Sequence, residues 1–104
     1  MAKALLDVVH TYLCGPMQTP YFIGNVYFLT FIDEYSRKTW IYLLKQKSEA
    51  FSKFRRFKVM VEKESGKNIK ILRSNRGGEY MLMDFIEFCQ SHGIKMRFTG
   101  RYTP

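Results

Sequence analysis

The feature that most constrains the fold is the order in which strand-like and helix-like segments follow one another. Three segments rich in aromatic and β-branched residues come first, at Leu5–Tyr12, Val26–Ile32 and Thr39–Leu44, and such residues favour strands. The polar stretch Asp33–Arg37 is typical of a turn between the second and third segments. Because short connections join neighbouring strands in opposite directions, the three segments predict an antiparallel meander.

Two helices and two further strands are predicted after the meander. Ser48 is a candidate N-cap for the first helix, and Gly66 is a candidate stop. A strand is predicted at Ile69–Arg73, a second helix ends at Gly93, and Ile94–Phe98 predicts the last strand. The apolar or half-polar positions at helical spacing are Ala50, Phe51, Phe54, Phe57 and Val61 in the first helix, and Phe85, Phe88, Cys89 and His92 in the second. The order β-β-β-α-β-α-β predicts one α/β domain over residues 1–104, with a mixed sheet of three antiparallel and two parallel strands.

The charge of the chain favours a polyanionic partner. Seventeen lysines and arginines stand against nine aspartates and glutamates in 104 residues, which gives a formal net charge of +8. Because the solubility of a small domain requires less charge than this, nucleic acid is the favoured partner.

The sequence predicts neither a membrane span nor an export signal. No apolar run approaches the ~20 residues that a spanning helix needs, and residues 1–7 lack the apolar core of a signal peptide. We therefore expect an intracellular protein, in the nucleus or the cytoplasm, with no membrane partner. In such a reducing compartment Cys14 and Cys89 are expected to be free thiols.

Five stretches, in order along the chain, carry a family signature. They are HTYLCGPM at 10–17, YFLTFIDEYSRKTW at 27–40, LRSNRGGEY at 72–80, FCQSHGI at 88–94 and YTP at 102–104. Together they resemble the integrase catalytic core of copia-type retrotransposons. The resemblance implies the ribonuclease H-like fold, whose element order is the one predicted above, and it suggests a plant source, although other eukaryotes carry such elements.

The resemblance also implies a chemistry that depends on three carboxylates. Integrase cores of this family cut and join phosphodiester bonds with two Mg²⁺ or Mn²⁺ ions, which two aspartates and one glutamate bind. Tyr12 stands at the position of the first aspartate, and Asn75, followed by Arg76, stands at that of the second. The third carboxylate is expected beyond Pro104, where the sequence ends. A phenol and a neutral amide do not replace the lost negative charge, so we expect a shortened, degenerate core without integration activity.

One carboxylate close to these positions could belong to a rebuilt catalytic site. Glu79 follows Asn75 by four residues and is the candidate catalytic residue of a metal-dependent nuclease, although a solvated loop acid is its more common role. Mg²⁺ or Mn²⁺ is expected only if this alternative holds, and otherwise no cofactor is expected.

Asp33 is a second carboxylate, and its predicted position excludes it from that site. If Tyr12 faces Tyr27 or Phe28, Asp33 lies about five residues farther along the sheet, or roughly 16 Å away. We expect it to cap the turn that follows it or to pair with Arg37.

A zinc site is the remaining metal hypothesis. His10 and Cys14, and Cys89 and His92, have spacings that occur among zinc ligands. Nothing in the sequence brings the two pairs together, so structural roles are favoured for all four.

The basic residues fall into two groups. The first helix carries Lys53, Arg55, Arg56 and Lys58, a pattern typical of a solvated helix face. The candidate nucleic-acid-binding residues are Lys70, Arg73, Arg76, Lys95, Arg97 and Arg101. By resemblance, some of these flank the pocket where the family places its substrate. The change to Asn75-Arg76 makes that pocket favour a phosphate over a metal ion.

Three functions are compatible with these features. The first is a non-catalytic nucleic-acid-binding domain, either domesticated or a decaying copy, that binds mainly phosphates. The second is a metal-dependent nuclease, and the third is a protein-interaction module.

The apolar strand residues predict self-association as well. Two helices are too few to cover all of them, and exposed apolar patches mark interfaces, so a homodimer is expected. The strand residues that two helices are not expected to cover completely are Val8, Tyr12, Tyr27, Leu29, Phe31, Trp40 and Tyr42.

Overall fold

The computed structural model describes residues 2–20 and 22–99, in which five strands and two helices form the predicted α/β fold. The strands are β1 (Val8–Thr19), β2 (Phe22–Asp33), β3 (Thr39–Leu44), β4 (Ile71–Ser74) and β5 (Lys95–Phe98). The helices are α1 (Ala50–Ser65) and α2 (Met83–Ser91). In the sheet, whose order is β3-β2-β1-β4-β5, the first three strands are antiparallel and β4 and β5 run parallel to β1.

The hairpin of β1 and β2 is longer than predicted. The predicted strands end at Tyr12 and resume at Val26, yet most of the residues between them belong to β1 and β2, and the pairing continues after a register shift between Cys14 and Met17. Gly15 lies in this irregularity with φ 128°, where a Cβ would approach the carbonyl oxygen of Val26 to 2.8 Å. A glycine and a proline therefore mark a bulge in the strand here, a role that both residue types take besides that of ending a strand.

The hairpin register corrects the predicted separation of Tyr12 and Asp33. Tyr12 pairs with Thr30, and Asp33 pairs with Val9, so Asp33 lies three residues farther along, not five. The error came from placing the turn too early in the chain. The predicted capping role is confirmed: the buried Asp33 carboxylate accepts hydrogen bonds from the backbone N–H and the hydroxyl of Ser36, at 2.8 and 2.7 Å.

The two helices differ in how well their ends were predicted. Gly66 ends α1 with φ 72°, as expected, but Ser48 is not its N-cap. A 3-10 turn at Lys47–Glu49 precedes the helix, and the Glu49 carboxylate accepts the backbone N–H of Gln46 at 2.9 Å. Neither helix is long and apolar enough to cross a membrane, within the residues described.

One face of the sheet packs against both helices and forms the core. Phe31 of β2 stacks on Phe57 of α1, with ring centroids 4.1 Å apart, and Phe54 of α1 stacks on Phe85 of α2 at 5.1 Å. The four rings are fully buried. Burial of a side chain of this size contributes about 1.5–3 kcal/mol to stability, so this aromatic cluster is the main link between the sheet and the helices.

This packing shows that most of the residues expected to remain uncovered are in fact covered. Two helices suffice because side chains alternate between the two faces of a strand, so only half of the strand residues need a helix. Leu29 and Phe31 are buried, Tyr27, Trp40 and Tyr42 pack against the core, and Val8 is buried on the other face. Of the seven residues, Tyr12 alone is exposed.

The opposite face of the sheet, here called the open face, is covered by no helix among residues 2–20 and 22–99. Ile41, Leu43 and Tyr12 are 61%, 44% and 45% exposed on it. The strand registers assign the side chains of this face, because paired residues point the same way. From β3 to β5 they include Ile41, Leu43, Phe28, Tyr12, His10, Arg73, Lys95 and Arg97.

Candidate functional site

The parallel pairing of β1 with β4 brings the two family metal positions together. Val8 pairs with Ile71 and His10 with Arg73. Continuing this register by two residues places Tyr12 beside Asn75, where β4 has just ended. Asn75 stands just past the end of β4, whereas β1 continues beyond Tyr12 to Thr19, so the two positions meet at the edge that the end of β4 forms. The two positions that the resemblance assigns to metal-binding aspartates are therefore neighbours in space.

Glu79 lies beside Asn75 at this edge. The Asn75 side-chain oxygen accepts the backbone N–H of Gly77 at 2.8 Å. A Cβ on Gly77 would lie 2.5 Å from Oε2 of Glu79 and 3.0 Å from Oδ1 of Asn75. Both polar side chains thus fold against the same glycine, and a larger residue there would displace them. We call Tyr12, Asn75 and Glu79 the strand-end cluster.

A buried tyrosine, which the sequence analysis did not identify, anchors the loop that carries Glu79. Tyr80 is 1% exposed, and its hydroxyl lies 2.9 Å from Oγ1 of the buried Thr11 on β1. Burial raises the pKa of Tyr80 far above its usual value, so the phenol stays protonated and can donate this bond. A threonine facing the core needs a polar partner, and Thr11 was therefore the signal that could have predicted this contact.

The strand-end cluster does not fit a pair of divalent metal ions. Such ions require several anionic oxygens, and the cluster offers one carboxylate, one phenol and one amide. The oxygen of Asn75 is already engaged by Gly77. Within the described part of the chain, no three His, Cys, Asp or Glu side chains are grouped to hold a metal ion.

The residues considered for zinc have other roles. His10 Nε2 lies 2.7 Å from Oε1 of Glu34, and this hydrogen bond lowers the pKa of the Glu34 carboxyl. His92 Nδ1 donates to a backbone carbonyl of α2 at 2.9 Å. Burial raises the pKa of Cys89 to about 12, which keeps its thiol protonated, while Cys14 is an exposed free thiol. The structure brings neither a zinc set nor a Cys/His nucleophile pair together here.

Three of the predicted nucleic-acid-binding residues share the open face. Arg73 of β4 and Arg97 of β5 are register partners, and Lys95 points the same way two residues before Arg97. None of the three forms an ion pair with another described residue. Their charges are therefore available to an anion.

The other three candidates lie elsewhere. The Arg76 guanidinium lies over the ring of Phe98, 5.6 Å from its centroid, beyond the end of β4. Lys70 precedes β4 at the opposite end of the sheet, with Nζ 3.4 Å from Oδ1 of Asp7. Arg101 lies outside the described residues. The five candidates within the described residues thus do not form one continuous patch.

The basic group on α1 is only partly a solvated face. Lys58 forms an ion pair with Glu62 at 2.7 Å, and its side chain is 13% exposed. Arg55 lies over the ring of Phe51, while Arg56 is exposed. The bonding of Lys58 and Arg55 within the helix layer favours a structural role for this group.

Comparison with known families and proteins gives consistent matches. Residues 6–104 match the integrase core domain family. The chain is 48% identical over 100 residues to the retrovirus-related Pol polyprotein from transposon TNT 1-94 of Nicotiana tabacum, and 36% identical over 78 residues to that from transposon RE2 of Arabidopsis thaliana. These matches cover 96% and 75% of this chain but only 8% and 5% of the relatives, so the chain spans a small part of their length.

Solved structures match the fold at low sequence identity. The HTLV-2 integrase catalytic core domain in complex with magnesium superposes with a TM-score of 0.75 and 19% identity, over 96% of this chain and 64% of that one. A chain of the simian T-cell lymphotropic virus intasome, in complex with a PP2A regulatory subunit, gives a TM-score of 0.72 and 17% identity, over 95% and 34%. At this level of sequence identity, the likeness shows a shared fold and nothing more.

Restoring the two aspartates should create a divalent metal site at the strand-end cluster. In Tyr12→Asp/Asn75→Asp the two new carboxylates stand beside Glu79, so Mn²⁺ should stabilise the protein by about 1 kcal/mol or more, a rise in melting temperature of about 4–8 °C. The wild-type chain should show no such rise. The control Tyr35→Asp/Asn68→Asp makes the same charge change at exposed positions. If the control responds to Mn²⁺ as strongly as the restored variant, the assignment of the two positions is wrong.

Proposed function

The chain belongs to the integrase core domain family, and from this premise we propose that it is a nucleic-acid-binding ribonuclease H-like domain that no longer carries out integration. The observation that supports the proposal is that Tyr12 and Asn75, which by resemblance stand at the positions of two aspartates, carry no negative charge and lie side by side at β1 and the end of β4. Its source would be the integrase core of a retrotransposon.

The loss of integration follows from the charge that the strand-end cluster lacks. Two metal ions activate the nucleophile and stabilise the leaving oxygen in phosphodiester chemistry, and anionic ligands must hold them. Tyr12 has a phenol and Asn75 has an amide, and neither is a carboxylate ligand. Glu79 alone supplies too little negative charge to bind two such ions.

Nucleic-acid binding is supported by the basic half of the open face. Arg73, Arg97 and Lys95 project from neighbouring strands without ion-pair partners among the described residues. Guanidinium groups bind phosphate in a bidentate manner. Contacts of this kind depend on salt and carry little sequence information, so we infer binding of low sequence specificity.

The alternative of a metal-dependent nuclease rests on Glu79. A nuclease of this kind would need further carboxylates beside Glu79. Among the described residues, no three His, Cys, Asp or Glu side chains lie close enough together to bind a metal ion. The alternative of a protein-interaction module rests on the exposed apolar residues of β3. It does not account for the basic residues on β4 and β5, and we therefore rank it below nucleic-acid binding.

Strand transfer should be undetectable with the purified protein. Donor DNA ends incubated with the wild-type chain and either Mg²⁺ or Mn²⁺ should yield no joined products, because the aspartates are missing. A competent integrase core assayed in parallel verifies the substrate. Products that the wild-type chain forms and Glu79→Gln does not form would contradict the loss of activity and favour the nuclease alternative.

Removing the paired arginines should weaken duplex binding in a salt-dependent way. Arg73→Ala/Arg97→Ala should lower the slope of log affinity against log salt by about two, since each lost phosphate contact lowers it by about one. Fluorescence anisotropy of a labelled duplex at several salt concentrations measures both affinity and slope. Arg56→Ala/Lys63→Ala, which removes the same charge from the outer face of α1, should leave the slope nearly unchanged.

An equal effect of the two double variants on duplex binding would contradict this prediction. If both double variants lower affinity and slope equally, binding depends on net charge alone, and the open face is not the interface.

We also propose that the chain forms a homodimer through β3. This strand lies at the edge of the sheet, contains no charged residue, and presents Ile41 and Leu43, which are more than two-fifths exposed. An exposed apolar edge strand is a common site of association between chains. A symmetric pair is the commonest closed assembly.

Sedimentation at micromolar concentration tests this association. Ile41→Lys/Leu43→Lys should shift the protein from dimer to monomer, because lysine on an edge strand opposes pairing. The control Val59→Lys/Met83→Lys places the same charges on exposed positions of α1 and α2 and should leave the dimer intact. A wild-type monomer at this concentration would contradict the proposal.

A further inference from the structure

The hairpin of β1 and β2 extends beyond the rest of the sheet. β4 pairs with β1 only at residues 8–10, and β3 pairs with β2 only at residues 27–32. The pairing of β1 with β2 continues as far as Thr19 and Phe22. We call this outer part, residues 15–19 and 22–26, the ribbon. Within residues 2–20 and 22–99, its two strands have no strand partner except each other.

The ribbon carries no charge. Residues 11–32 contain no charged side chain, although the formal net charge of the chain is +8. Lys45 and Lys47 follow the end of β3, whose last residue pairs with β2 at the base of the ribbon. Glu49 accepts the backbone N–H of Lys45 at 3.1 Å, and Glu79 lines a groove together with Lys47. Because these charges balance, hydrogen bonds and shape are what the ribbon offers to a partner.

Two amide side chains stand opposite each other on the ribbon. Gln18 and Asn25 are register partners, and both are exposed. Neither amide is hydrogen-bonded to another group within residues 2–20 and 22–99. Asn25 lies two residues before Tyr27, which packs against the core. Since side chains alternate along a strand and paired residues point the same way, the amide pair lies on the side of the sheet that carries the helices, not on the open face.

A two-stranded ribbon with paired amides matches the major groove of DNA. That groove is about 12 Å wide and about 8.5 Å deep, and it admits a two-stranded β-ribbon. The five residues from Cys14 to Thr19 span roughly 16 Å at about 3.3 Å per residue, which exceeds the depth of the groove. An amide has one acceptor and two donors. Adenine presents its N7 acceptor and its N6 amino donor in this groove, so Asn or Gln can form two hydrogen bonds with it.

We propose that the ribbon enters the major groove of a DNA duplex, where Gln18 and Asn25 form hydrogen bonds with the edges of adenines. This inference rests on the proposed nucleic-acid binding and names both the form of the nucleic acid and the residues that contact bases. The major groove of duplex RNA is too deep and narrow for side chains to reach the bases, so the amide contacts are specific to DNA. A preference for one or two adenines is compatible with low overall sequence specificity.

The test removes the adenine acceptor from the DNA and the amides from the protein. The probes are a labelled duplex of alternating dA and dT and the same duplex with 7-deazaadenine, which lacks the N7 acceptor, measured by anisotropy at several salt concentrations. The wild type should bind the modified duplex roughly tenfold more weakly, since one bidentate contact to a base contributes at least this much.

The amide variant should lose this difference between the two duplexes. Gln18→Ala/Asn25→Ala should bind the unmodified duplex roughly tenfold more weakly than the wild type, with the same slope of log affinity against log salt, because the amides release no counterions. The control Asn68→Ala/Gln90→Ala removes two exposed amides outside the ribbon and should bind like the wild type. Circular dichroism verifies that the variants keep the sheet, and the modified duplex tests the contact without any change to the protein.

The outcomes separate this inference from the function on which it rests. If the wild type binds both duplexes equally and the amide variant binds as tightly as the wild type, nucleic-acid binding stands and the ribbon is not the contact. If the amide variant weakens binding to an RNA duplex of matching sequence as much as to DNA, the assignment to the major groove is wrong. If the wild type binds no duplex at all, both proposals are wrong.

Discussion

The parallel pairing of β1 with β4 is the interaction on which the rest of the structure depends. It joins the antiparallel meander to the helix-linked half of the sheet, and its register sets every neighbour of the strand-end cluster. It places Asn75 beside Tyr12 on one face. On the other face the same strands bury Val9 and Leu72, and Thr11 reaches the hydroxyl of Tyr80. One face of this strand pair thus contributes to the core, and the other carries the strand-end cluster.

The sequence was sufficient for the order and direction of the elements because local patterns determine them. Aromatic and β-branched runs predicted the strands, and Gly66, with φ 72°, ended the first helix as expected. The length of the first hairpin was not predictable by the same means. The Gly15–Pro16 step is compatible with either a loop or a bulge, and the pairing of Met17 with Val26 decides between them. That pairing depends on the partner strand, which a local pattern does not contain.

The candidate site was predictable only where a family pattern supplied the position. Tyr12 and Asn75 were found in this way, and their proximity in space follows from the register of two strands. The sequence did not predict which of the basic residues share one face of the sheet. Arg73 and Arg97 share a face because β4 and β5 are in register, while Lys70 turns to Asp7 at the other end of the sheet. Tyr80 was missed because its role depends on a buried contact across the fold.

By resemblance, Tyr12 and Asn75 stand where the family has aspartates, and neutral residues at these positions change which ions this part of the sheet attracts. Two neighbouring carboxylates repel each other unless a cation binds between them, so a metal-binding edge carries a cost in stability when it is empty. With Tyr12 and Asn75 that repulsion is absent. A carboxylate near Arg73 on this face, that of Glu34, is hydrogen-bonded to His10, which is the register partner of Arg73 on β1. With neutral residues at these two positions and Arg73 and Arg97 on the neighbouring strands, the charge of this part of the face favours an anion over a cation.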